Sequence, residues 1–209
     1  CNTQHYRIRW VRRAQALAFS IRQTKEVVAA NVLNRAFTAA YTGGDGVELC
    51  SLLHKNKSGG TWANELATAA DLSDTALEQA CIDIAGFTND RGLTIKVLPK
   101  KLIIPPDLEF EAARILKSIQ QPGTANNDIN AIRVLGKIPQ GYCVNHFLTD
   151  TDAWFIKTDI PDGMKLFQRK AMSFSMDNDF DTTNAKFRSL ERFSVGWSDP
   201  RGVYGSPGA

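Results

Sequence analysis

Residues 100–118 read KKLIIPPDLEFEAARILKS, and the order of residue types in this stretch decides much of the fold. Leu102, Ile103 and Ile104 close an apolar, β-branched run that begins at Leu93 and is interrupted at Pro99 (LTIKVLPKKLII), the composition of a strand. Pro105 and Pro106 cannot donate to a strand ladder, so they end it. Pro106 then fits the first turn of a helix, where a missing N–H leaves nothing unsatisfied. Leu108, Phe110, Ala113, Ile115 and Leu116 follow at helical spacing to about Ser118. The stretch therefore predicts strand, proline turn and helix in immediate succession.

Upstream, Ser73 is a natural N-cap for a helix carrying Leu77, Cys81, Ile84 and Ala85 and ending near Gly86. Further back, no Gly or Pro occurs from Cys1 to Thr42. Apolar residues recur there by threes and fours at Trp10, Ala14, Leu17, Ile21, Val28 and Val32. This predicts one long helix over residues 4–41, on the order of 55 Å at 1.5 Å per residue. Gly43, Gly44 and Gly46 stop it, and residues 47–70, without a clear period, read as a loop.

Downstream, residues 121–130 are a polar loop, and short strands are expected at 131–135, 142–148 and 153–157. Phe167–Met176 and Lys186–Trp197 read as the two arms of a long β-hairpin. The chain closes on FSVGWSDPRGVYGSPGA, residues 193–209. There Trp197 and Tyr204 are expected to dock the tail, leaving only Ser206 to Ala209 loose. The fold class is α+β, and there is no internal repeat.

Composition excludes little: 209 residues, 43% hydrophobic and 22% charged, with a net charge of +3, describe an ordinary globular chain. No run of about 18 apolar residues suggests a membrane span. The chain begins at Cys1 without Met and enters helical sequence at once, so a preceding N-terminal part is expected.

Candidate chemistries fail on spacing. Cys50 with His54 and Cys143 with His146 supply zinc-type ligands, yet the pairs lie in different kinds of segment and match no familiar zinc spacing. Asp177, Asp179 and Asp181 alternate like the start of a calcium loop, but Thr182 stands where that loop needs Gly and Arg188 where it needs Glu. Gly43-Gly44-Asp45-Gly46 follows a helix end, whereas phosphate-binding glycines precede a helix start. No catalytic residue, cofactor or metal is therefore expected.

Charge is distributed unevenly. Arg7, Arg9, Arg12, Arg13, Arg22 and Lys25 precede the first acid, Glu26, so they crowd the helix end where the macrodipole disfavours positive charge. They are candidates for non-specific phosphate contacts or for acids on neighbouring subunits. No base-reading module accompanies them.

The order of these elements resembles the major capsid protein of tailed bacteriophages, whose shell fold is shared with herpesvirus capsids and encapsulins. The resemblance rests on RRAQALAFSIRQTKEVVAANVLNRAF, the break YTGGDG, IKVLPKKLIIPPDLEFEAARILKS and a terminal hairpin ending in RFSVGWSDPRGVYGS. It implies a spine helix at 4–41 within a peripheral domain formed by 1–71 and 166–196. It also implies an axial domain from 72–165 and 197–209, with an N-terminal arm and extended loop absent from this chain. The expected function is a structural subunit of an icosahedral head, assembled in the bacterial cytoplasm through pentamers and hexamers around double-stranded DNA. Portal, scaffold and decoration proteins would be partners, and membranes would not. The arginines would face the lumen or a neighbour. The alternatives are an encapsulin-like compartment shell and, from a different class, a basic DNA-binding protein.

Overall fold

The computed structural model describes residues 3–121, 128–181 and 185–209, with side chains from Arg12 onward except Asn178. The chain is mixed α+β and divides into two compact units, one formed by Cys1–Ala29 with Leu166–Gly196, the other by Ala30–Lys165 with Trp197–Ala209.

Helix α1 spans Thr3–Asn34, about 48 Å long. It stops seven residues short of the position expected from its apolar period. Asn34 is captured by tertiary partners, donating to the Phe147 carbonyl at 3.0 Å and accepting from the Thr149 amide at 3.1 Å. Two residues on, the Ala36 carbonyl accepts from the Cys50 amide at 2.9 Å, so the returning chain takes a bond that a longer helix would have used.

The second unit is built on a sheet. β3 (Pro99–Ile104) pairs in parallel with β4 (Tyr142–Val144) and antiparallel with β5 (Trp154–Thr158). β5 in turn pairs antiparallel with β8 (Val203–Ser206), giving the order β4-β3-β5-β8. Alternation sends Leu102, Ile104, Trp154, Ile156 and Tyr204 to one face, where they meet Leu77 and Ile84 of α2 (Asp74–Ala85) and Ile115 of α3 (Glu109–Lys117). Phe155 and Val203 go to the other face, with Leu33, Ala36, Leu49 and Cys50. Covering both faces explains why β5 reads as a continuous apolar run.

Residues 30–71, grouped with the hairpin in the sequence reading, belong to this sheet unit because Leu33, Leu49 and Cys50 fill the second sheet face. Their loop also carries a small hairpin, β1 (His54–Lys55) with β2 (Thr61–Trp62), that no periodicity announces.

The strand expected at 131–135 is instead helix α4 (Ala131–Val134). Asn130 caps it by accepting from the Arg133 amide at 3.1 Å, while its amide group donates to the carbonyls of Ile115 and Ser118. The strand expected at 142–148 ends at Val144, because the Asn145 side chain accepts from the Phe147 amide at 3.0 Å and turns the chain. α2 keeps its expected cap, Ser73 accepting from the Ala76 amide at 3.2 Å.

The first unit consists of the body of α1 and the hairpin of β6 (Met164–Asn178) with β7 (Ala185–Trp197). Lys25 of the helix pairs with Glu191 of β7 at 2.6 Å and lies 5.5 Å from the Phe193 ring centre. Gln168 donates to the same Glu191 carboxylate at 2.9 Å, and Phe174 stacks on Phe187 across the ribbon at 5.8 Å. Among the described residues, no apolar side chain of this unit is buried.

Candidate assembly surfaces

The tail is a structural strand. All of Val203–Ser206 is buried, and the Tyr204 hydroxyl donates to Asp83 at 2.5 Å on α2. Burial, with the Asp83 carboxylate next in effect, pushes the Tyr204 phenol well above its ordinary range, so it stays a donor. Ser206, expected to be loose, pairs with Trp154 and donates to the Ala70 carbonyl at 2.9 Å; the free end begins after it. Trp197 is half-buried, packed beside Gly43.

What seats the tail is a buried carboxamide. Asn64 is fully buried; its Nδ2 donates to the carbonyls of Leu49 at 2.7 Å, Pro200 at 3.0 Å and Val203 at 3.0 Å. Its Oδ1 accepts from the Ser51 amide at 2.9 Å and meets His54 Nε2 at 3.0 Å. One side chain thus joins the loop after α1 to the tail. Just ahead of β8, Gly202 passes Gly163 so closely that a Cβ on Gly202 would lie 2.4 Å from the Gly163 Cα.

Arg201 completes the seat. Its side chain is 9% exposed, donates to the Thr88 carbonyl at 2.6 Å, pairs with Asp90 at 3.2 Å and Asp199 at 3.3 Å, and lies over Trp62 at 4.4 Å. It forms one wall of a 730 Å³ cleft that also includes Lys55, Trp62, Lys165 and Trp197. Lys57 and Lys165, also in the cleft wall, are paired with Asp90 and Asp162. The cleft is therefore close to charge-balanced and suits holding protein chain together more than binding an anion.

The arginines belong to α1. Arg12, Arg13 and Arg22 are exposed, and Lys25 is engaged with Glu191. Arg7 and Arg9 lie on the same helix, with side chains outside the described residues. On the hairpin, Phe167, Phe174 and Met176 are exposed, and Phe180 at the turn is 97% exposed. A second apolar surface, a 470 Å³ groove, runs along α2 and α4 between Cys81, Ile82, Ala85 and Leu135.

The Cys/His pairs do not converge. Cys50 is buried, and burial pushes its thiol up, as it does for Cys81; Cys143 is exposed. His54 is engaged by Asp45 and Asn64, and among the described residues no three His, Cys, Asp or Glu side chains gather as a metal site requires. Sequence reasoning missed Asn64, since an Asn in a loop carries no signal that it is buried. It placed Arg201 in a turn without its partners.

A family model described as phage capsid protein matches residues 10–206, nearly the whole chain. The chain belongs to the phage capsid protein family. This capsid chain is therefore a structural protein of the virion, not an enzyme. Among solved structures, it is similar to the virus-like particle from Pyrococcus furiosus, at 18% identity and a TM-score of 0.34. That alignment covers 52% of this chain and 42% of the other, so the capsid chain spans less than half of that chain's length. No curated protein matches it. Among the described residues, no helix is long and apolar enough to cross a membrane.

Proposed function

We propose that the chain is the major head subunit of a tailed phage, with the tailed-phage capsid fold, assembling through pentamers and hexamers into an icosahedral shell around double-stranded DNA. The family assignment over residues 10–206 supports the shell. The observation that carries the assembly reading is the helix–hairpin unit, which exposes Phe19, Phe167, Phe174, Met176 and Phe180 and buries no apolar side chain among its described residues. Two strands and one helix face of this kind are marginal alone and gain a core only by meeting other subunits.

In this reading the helix–hairpin unit lies at the periphery of each capsomer and the sheet unit surrounds the axes. Arg12, Arg13 and Arg22, with Arg7 and Arg9, face the lumen and screen packaged DNA without reading its sequence. Scaffold, portal and decoration proteins are further partners, and assembly takes place in the bacterial cytoplasm.

Electron microscopy of the natural product, expressed with its neighbouring head genes, tests the proposal. Monodisperse icosahedral shells are expected, with density for DNA in packaged particles. A chain that stays a small monomer with its scaffold present sinks the shell assignment, and shells filled with protein cargo sink the DNA assignment. Replacing Arg12, Arg13 and Arg22 by Glu should leave empty shells intact and reduce the DNA-filled fraction. Unchanged filling would remove those arginines from the DNA face.

A further inference from the structure

His54 is 1% exposed, and neither of its ring nitrogens faces water. Nε2 meets Asn64 Oδ1 at 3.0 Å and Nδ1 meets Asp45 Oδ2 at 2.6 Å. The Asn64 carboxamide cannot be turned round: its Nδ2 serves three carbonyls, and the Ser51 amide points at its oxygen. Asn64 therefore presents an acceptor to the histidine, and Nε2 must carry a proton. With Nε2 protonated, a neutral imidazole would aim the bare lone pair of Nδ1 at a carboxylate oxygen across 2.6 Å. A second proton must lie between them. It belongs on the imidazole, the stronger base of the two.

Asp45 is the centre of a turn. Its Oδ1 accepts from the Val47 amide at 3.3 Å, while the Gly43 amide donates to the Val47 carbonyl at 2.7 Å and the Gly46 amide to the Gly43 carbonyl at 3.2 Å. The turn lies against the tail, since a Cβ on Gly43 would fall 2.9 Å from Trp197 Nε1. We propose that His54 and Asp45 form an imidazolium–carboxylate latch, and that its second proton clamps the 43–47 turn to the Asn64 seat of the tail.

The surroundings suit a cation. Trp62 of β2 stacks on the imidazole at 4.6 Å and 20°, presenting its electron-rich face. Arg201, over Trp62, is held by Asp90 and Asp199, while Glu48 and Glu65 lie near the Cys50 thiol and add negative charge to the neighbourhood. Among the described residues, Asp45 is the acid that pairs with the ring. The latch lies wholly within one chain and does not depend on assembly into a shell.

Nitrogen-15 spectra of the histidine rings test it, in solution or by magic-angle spinning of the assembled protein, with His5 and His146 identified by substitution to Gln. At neutral pH both His54 nitrogens should carry protons. His54→Gln, which removes the ring, should lower the protection of the 43–47 amides about tenfold, the scale of one lost hydrogen bond. Asp45→Asn supplies a donor in place of the carboxylate, so Nδ1 becomes the acceptor of that bond and the turn keeps its protection. A bare Nδ1 in the unsubstituted protein overturns the proposal. So does a loss of protection as large in Asp45→Asn as in His54→Gln.

Discussion

The two units of this chain are opposites. In the sheet unit, β5 is sandwiched: Trp154 and Ile156 face α2 and α3, Phe155 faces Leu33 and Leu49, and all five of these partners or neighbours lie in closed apolar clusters. In the helix–hairpin unit the strands are longer than any in the sheet, yet Phe174 remains 49% exposed and its best partner is one other ring, Phe187. Strand length is thus no measure of stability; covered faces are. The contrast teaches that one chain can hold a unit whose apolar faces are covered and a unit whose apolar side chains stay open, which is the pattern the proposed shell role calls for.

Ways to break this contrast run from large effects to small. Deleting residues 199–209 removes β8 and uncovers β5, so the cooperative fold should be lost, read by circular dichroism and solubility; a normal melting curve would mean that β8 is dispensable. Trp154→Ala should cost about 3–5 kcal/mol in denaturant titrations of the unassembled chain, since it empties a fully buried site.

Gly202→Ala, which drives a methyl into the Gly163 backbone, should cost about 1–3 kcal/mol in the same titration. Phe174→Ala should change the stability of the unassembled chain by less than about 1 kcal/mol, while lowering shell yield. If it destabilises the free chain as much as Trp154→Ala does, the hairpin has a core of its own and the contrast fails.

The smallest effect is electrostatic. Burial, and then the nearby Glu48, raise the carboxyl of Glu65 above its ordinary range. A carboxyl raised on folding holds its proton more tightly in the native state, so stability falls as pH rises through that raised value. Glu65→Gln should therefore raise the melting temperature slightly at neutral pH, a gain worth less than about 1 kcal/mol for a half-exposed group. The gain should vanish below the ordinary carboxylate range. A gain that persists in acid would point to packing instead.

Much of this was legible in the residues, for physical reasons that can be named. The strand–proline–helix run 99–117 and the Ser73 cap were readable because proline and serine act locally. The hairpin was readable from alternation, and α1 from its unbroken period. The end of α1 was not readable, because Asn34 is stopped by partners more than a hundred residues away at Phe147 and Thr149. α4 was mistaken for a strand because four residues containing Ile and Val carry too little period, and the decisive contact is the Asn130 cap. In the tail, Ser206 looked free because its partners, Trp154 and Ala70, are distant in sequence. Local chemistry was visible, and long-range capture was not.

The placement of β8 also sets an order of events during synthesis. β5 leaves the ribosome with one open edge, and the whole β6–β7 hairpin must be made before β8 can cover that edge. The sheet is therefore completed across a long sequence separation, a slow class of contact that leaves the intermediate exposed. A chain cut short anywhere inside the hairpin would present a bare β5 edge in place of a finished subunit. In the proposed shell, only chains translated through residue 206 would offer a closed sheet to their neighbours.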